Sequence, residues 1–206
     1  MKIFILRHED RTQDATFFSP LTSTGLERSE ALAGILKKYK INKIYSSPFI
    51  RTLQTINPYC LKCDLKINLE YSLSEIQHPL IIPEKSYQVR LPTYIANNFN
   101  YNDRYKSLLD PLDHVYPEDE INVSKRVRKF LNTLFNNKLT KNNNILIVTH
   151  QVVCNEILKI STKEMKGINI VSSFNYPRGG LSQVFDRDEW LFEPINWDRP
   201  NFDSIE

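Results

Sequence analysis

Phe4-Ile5-Leu6-Arg7-His8-Glu9-Asp10 runs an apolar segment straight into a cation and an imidazole. Ile3 to Leu6 is short and continuously apolar, the pattern of a central strand covered on both faces. Two later segments repeat the arrangement. Lys43-Ile44-Tyr45 reads as a second short strand that ends at Ser46-Ser47-Pro48, where the proline suits the first turn of a helix carrying Arg51, Gln54 and Thr55. Ile145 to Val148 reads as a third, with Thr149-His150 at its end and helix resuming through Ile157. Between them lie two apolar stripes at helical spacing: Leu32, Ile35, Leu36 and Tyr39, then Val123, Val127, Phe130, Leu131 and Leu134. Strand and helix in alternation predict an α/β fold, a three-layer α/β/α sandwich with a mostly parallel central sheet and right-handed crossovers. Ligands of such sheets lie beyond the carboxyl ends of the strands. Arg7-His8, Ser46 to Arg51 and Thr149-His150 are therefore expected at one edge.

The remaining segments are less regular. Residues 7 to 23 read as a loop, with Thr22 or Ser23 capping the next helix. Pro79, Pro83, Pro92, Pro111 and Pro117 forbid long helices, so residues 77–118 read as an irregular insertion with a short helix near Thr93 to Phe99. Lys125, Arg126, Arg128 and Lys129 read mostly as the solvated face of the following helix. Strands are expected near Ile168 to Phe174, Leu181 to Phe185 and Trp190 to Phe192. Residues 1–206 read as a single domain, without internal repeat or linker.

Composition narrows the functional classes. The 27 basic residues against 24 acidic ones leave a net charge of +3, too mild and unclustered to argue for nucleic-acid binding. No apolar run reaches the length of a spanning helix, so no membrane association is expected. The apolar start is too short for a secretory signal, which points to the cytoplasm or the nucleus. Three cysteines fit a reducing compartment. Cys60 and Cys63 form a C-x-x-C without a second ligand pair, and read as free thiols ahead of a metal or redox site. Cys154 reads as a small packed residue. Nothing assigns a role to His78 or His114.

The strand-end residues suit phosphate chemistry. A phosphomonoester dianion needs cations on its nonbridging oxygens, an in-line nucleophile and a proton for the leaving oxygen. Arg7 and Arg51 can fork onto phosphate oxygens. Of two histidines at neighbouring strand ends, one can attack and the other donate to the phosphoryl group. A carboxylic acid would protonate the leaving oxygen and then activate water. No metal or other cofactor is required, because these arginines and histidines supply the positive charge.

These segments carry a resemblance. Leu6-Arg7-His8-Glu9, Pro20-Leu21-Thr22-Ser23-Thr24-Gly25, Ser46-Ser47-Pro48-Phe49-Ile50-Arg51-Thr52-Leu53-Gln54-Thr55, Leu73-Ser74-Glu75-Ile76 and Val148-Thr149-His150 follow in order the motifs of the histidine phosphatase superfamily, the group that includes phosphoglycerate mutases. The resemblance implies a phosphoglycerate mutase-like fold and phosphomonoester hydrolysis through a phosphohistidine. It makes His8 the nucleophile, Arg7 and Arg51 phosphate clamps, His150 a phosphate contact, and Glu75 the acid and base, with Glu70 near enough to compete. Arg11 resembles the second arginine of some subgroups and is a further candidate phosphate ligand. The implied partner is a small-molecule or phosphoprotein phosphomonoester. Lys85, Arg90, Arg104, Tyr87, Tyr94 and Tyr101 of the insertion are candidates to meet its leaving group; the oligomeric state is not legible.

The chain departs from the family pattern where Glu9 and Gln151 stand for glycines, and where Gln77-His78-Pro79 follow Glu75-Ile76. A glutamate at a glycine position predicts backbone strain, and its carboxylate would oppose a dianion. Two other readings stand beside the phosphatase: a mutase, and a catalytically weak phosphate-binding or scaffold protein.

Overall fold

The strand Lys2–Arg7 (β1) is buried at every residue after Lys2, because it lies inside a sheet with both faces covered. Alternation divides its side chains between two cores. Phe4 and Leu6 pack with Leu32, Leu36 and Ile56, whereas Ile3 and Ile5 pack with Val127, Phe130, Val153 and Ile157. The computed structural model describes residues 1–14, 16–164 and 175–198, with backbone only at Lys85 and 162–164. The strand expected over Ile168 to Phe174 lies outside the described residues, as does the side chain of Lys85.

Five further strands complete the sheet: β2 (Lys43–Ser46), β3 (Ile67–Leu69), β4 (Asn144–Thr149), β5 (Leu181–Asp186) and β6 (Glu189–Pro194), in the order β3-β2-β4-β1-β5-β6. β3, β2, β4 and β1 run parallel, with Arg7 level with Thr149 and Ser46 with Val148. β5 is antiparallel to β1, and β6 to β5. Helices α1 (Ser23–Leu36) and α2 (Ile50–Cys63) supply one core, and α4 (Glu120–Asn136) and α5 (Gln151–Glu164) the other; α3 (Thr93–Ala96) is a single turn. This is the expected three-layer α/β arrangement. Among the described residues no helix is long and apolar enough to cross a membrane.

Local chemistry sets the element ends. Thr22 caps α1 by accepting the Gly25 N–H at 3.0 Å, and its hydroxyl donates to Asp10 at 2.7 Å. A side chain at Gly25 would run into the Asp10 carbonyl, which explains the glycine three residues after the cap. Pro48 does not open α2. Ser47 still pairs with β4 through its N–H to the Val148 carbonyl at 3.0 Å, so the chain stays extended and α2 begins at Ile50 behind Phe49. β3 was not expected from the sequence. The helix expected over Thr93 to Phe99 is confined to α3.

Arg126 also corrects the reading of α4. Lys125 and Lys129 face solvent, but Arg126 is buried against Glu118, with Nε to Oε1 at 2.7 Å.

Candidate active site

Past β1, the His8 N–H still bonds the Thr149 carbonyl of β4 at 3.0 Å, which holds the residue at the sheet edge. Its ring Nδ1 lies 2.7 Å from the Glu9 carbonyl oxygen. A carbonyl only accepts, so Nδ1 carries the hydrogen and Nε2 keeps its lone pair. Burial, then the charges of Arg51 and Arg7, hold the imidazole well below the ordinary histidine range, outweighing the Glu9 hydrogen bond. His8 is thus neutral, with its tautomer fixed by the backbone.

Three arginines surround it. Arg7 is buried and donates from Nη1 to the Tyr176 carbonyl. Arg51, in the first turn of α2, donates to the Thr16 carbonyl at 2.8 Å and lies over the Phe49 ring at 4.6 Å. Burial pushes its guanidinium down to about 9; Glu75 opposes this, while Arg11 and Arg7 add to it. Arg11 is half-buried and donates to the Thr12 carbonyl at 2.6 Å. Its charge acts on His8, His150 and Arg51.

His150, past the end of β4, is fully buried. Its Nε2 meets the Ser47 hydroxyl at 2.8 Å, and its Nδ1 lies 3.6 Å from Glu75 Oε2. The ring stands edge-on to Phe49 and to His8, with centroids 4.8 and 5.3 Å away. Burial, then Arg51 and His8, keeps it neutral.

The two candidate carboxylates differ in their surroundings. Glu75 faces His150 and spends one oxygen on the Ile76 N–H at 3.1 Å. Glu70 is enclosed by the Ser72 N–H, the hydroxyls of Tyr105 and Ser107, and the Leu108 N–H, all within 3.1 Å. It brackets residues 105–108 onto the end of β3.

Glu9 corrects an expectation. Among the described residues, positive φ occurs at Lys40, Asp64, Arg187 and Gly179, and not at Glu9. The Glu9 N–H donates to Thr55 Oγ1 at 3.0 Å. Its carboxylate fills the place that a side chain on Gly179 would take. Gly179, at φ 65°, sends its N–H toward the Arg7 and His8 carbonyls at 3.2 and 3.1 Å. The conformational freedom expected at residue 9 is thus used across the turn. Replacing Gly179 by alanine should combine overlap with left-handed strain, about 2–4 kcal/mol together. A thermal melt should show a Tm roughly 5–15 °C lower.

The other candidates lie elsewhere or are otherwise engaged. Arg90 is an exposed ion-pair partner of Asp110, Tyr87 stacks on Tyr116, and Tyr94 and Arg104 face solvent. His78 accepts the Leu80 N–H at 3.3 Å. His114 is buried, and burial with the nearby Arg126 charge pushes it down to about 3. The three cysteines are free; burial pushes the Cys60 thiol up to about 12 and raises Cys154 further still. Sequence reasoning named Ser47 and Thr55 within a motif without giving them a role, and passed over Tyr176 and Arg178, the last ion-paired with Asp10 beside Arg11.

A profile of the histidine phosphatase superfamily (branch 1) matches residues 6–196. The chain belongs to this superfamily. No curated protein matches it. Among solved structures, this histidine phosphatase family member resembles the ecdysone phosphate phosphatase of Bombix mori in complex with tungstate (TM-score 0.65, 14% identity, 100% of this chain and 95% of that one). It also resembles a mycobacterial glucosyl-3-phosphoglycerate phosphatase (0.63, 14%, 95% and 98%) and the YhfR protein of Bacillus stearothermophilus (0.62, 17%, 94% and 95%). At these identities the likeness establishes the shared fold.

Arg7 and Arg11 repel Arg51 beside two buried histidines, which makes a site that an anion should relieve. Orthovanadate or phosphate is expected to raise Tm. At a hundredfold excess over Kd the gain is about 2.7 kcal/mol, or roughly 5–10 °C; an unchanged melt would contradict the anion site.

Proposed function

We propose that this histidine phosphatase family member hydrolyses phosphomonoesters through a phosphohistidine on His8. The observation that carries the reading is the 2.7 Å contact between His8 Nδ1 and the Glu9 carbonyl, which leaves the lone pair on Nε2 of a ring that feels the charges of Arg51, Arg7 and Arg11. In the first half-reaction Nε2 attacks phosphorus, the P–O ester bond breaks, and the leaving oxygen takes a proton from Glu75. In the second, water attacks the phosphohistidine and gives a proton to Glu75, and the P–N electron pair returns to Nε2. The arginines and His150 balance charge on the nonbridging oxygens throughout.

Glu75 is favoured over Glu70 as the acid because it stands 3.6 Å from His150, whereas Glu70 has its oxygens occupied by loop donors. The weak-binder reading rested mainly on Glu9, whose carboxylate is taken up against Gly179. The substrate is a small-molecule or phosphoprotein monoester. Rapid quench during turnover should trap a phosphoenzyme that is labile in acid and stable in base. A full burst of product without such a species would refute the covalent route.

A further inference from the structure

The turn that carries Glu75 is gripped at three of its backbone carbonyls. Ser72 accepts from Arg126 Nη1 at 2.6 Å and Leu73 from the Thr149 hydroxyl at 2.7 Å. Glu75 accepts from Gln77 Nε2 at 2.6 Å and from Arg126 Nη2 at 3.4 Å. Arg126 is itself fixed in a fork by Glu118, Nε to Oε1 at 2.7 Å and Nη2 to Oε2 at 3.0 Å. Glu118 also exchanges hydrogen bonds with Gln77: its Oε2 accepts the Gln77 N–H at 2.9 Å, and its own N–H donates to the Gln77 carbonyl at 2.7 Å.

Both partners are buried, Arg126 at 7% and Glu118 at 2% exposure. Desolvation offsets much of the attraction in such a pair, so stability alone is a poor reason for it; a packed apolar pair would serve as well. An apolar pair could not offer rigid, directed donors to two carbonyls of one turn. The Gln77–Glu118 exchange also joins the two ends of the 77–118 insertion.

We propose that Arg126, locked by Glu118, is a positioning residue that sets the Glu75 carboxylate toward the leaving oxygen, and that the closed neck at Gln77 and Glu118 keeps the insertion from displacing it. This rests on the reading of Glu75 as the proton donor. On Glu75 it acts through the backbone it holds.

The test is the ratio of kcat/KM for 2-glycerol phosphate to that for p-nitrophenyl phosphate, both measured on one sample. The alkoxide leaving group needs the proton and the nitrophenolate does not, and any loss of folded protein cancels in the ratio. Glu75→Gln should lower the ratio by about 10²–10³. Arg126→Lys and the near-isosteric Glu118→Gln should each lower it about tenfold or more, because small misplacements of a reacting group are costly. Arg126→Lys in the Glu75→Gln background should lower it no further. Equal losses on both substrates, or no loss, would overturn the positioning role. If Glu75→Gln leaves the ratio unchanged, the acid assignment fails; if it lowers the ratio and the Arg126 and Glu118 variants do not, only the positioning role fails.

Discussion

Replacing His8 by asparagine is expected to lower kcat/KM for every phosphomonoester by at least about 10⁴-fold. The asparagine amide can still donate to the Glu9 carbonyl, as Nδ1 does at 2.7 Å, so the turn after β1 keeps its geometry. What disappears is the lone pair at the Nε2 position. Phosphoryl transfer then has to use water directly, without the covalent half-reaction, and no phosphoenzyme should be trapped. The arginines remain, so vanadate should still raise Tm in the variant. Retained turnover, or a phosphoenzyme in the variant, would remove His8 from the nucleophile's role.

The second large effect is expected at Arg51. Arg51→Met keeps much of the side-chain volume and deletes the guanidinium, which is 1% exposed and held by the Thr16 carbonyl and the Phe49 face. Deleting an arginine that stabilises a transferring phosphoryl group costs about 10³-fold or more in kcat/KM. Arg51→Lys should recover little, because an ammonium cannot fork onto two phosphate oxygens. Stability should move the other way. The folded protein keeps this cation against burial and two neighbouring arginines, so Arg51→Met should leave Tm unchanged or raise it. Activity within tenfold of the parent would take Arg51 out of the phosphate site.

Acid should unfold the protein for a related reason. His8, His114 and His150 are all buried with folded pKa values below the unfolded value near 6.5. Below that pH the unfolded chain binds more protons than the folded one. Their contribution is therefore complete above about pH 6.5 and is lost as pH falls toward the folded values. Each proton adds up to about 1.4 kcal/mol per pH unit to the slope. Urea melts between pH 7 and 5 should show stability falling steeply; a flat profile would mean that the rings charge within the fold.

Much of the candidate site's placement was legible because its residues stand at strand ends. Ile3 to Leu6 and Ile145 to Val148 are apolar runs that buried parallel strands require, and the chemistry follows them directly in sequence. β3 was hidden because Asn68 interrupts it; its amide donates to the Ile44 carbonyl at 2.9 Å, a polar residue satisfied by the neighbouring strand. Arg126 was misread because three other basic residues surround it on α4, and a helical pattern cannot reveal that Glu118 folds back onto it. Glu70 and Glu75 looked alike until residues 105–108 supplied the donors that occupy Glu70. Tyr176 and Gly179 had no local signal at all, because their importance lies in β1 residues about 170 positions away in the chain.

The interlock of Glu9 with Gly179 also bears on how distant parts of the chain depend on each other. A bulky residue 9 and a side chain on residue 179 compete for one volume. Glycine at 9 would vacate it, so Glu9→Gly should soften the penalty of Gly179→Ala to little more than its backbone strain. The two positions are then expected to be coupled in stability, so that the double variant costs less than the sum of its parts. A double-mutant cycle on thermal melts of Glu9→Gly and Gly179→Ala should therefore show coupling between two residues about 170 positions apart; strict additivity would remove the interlock.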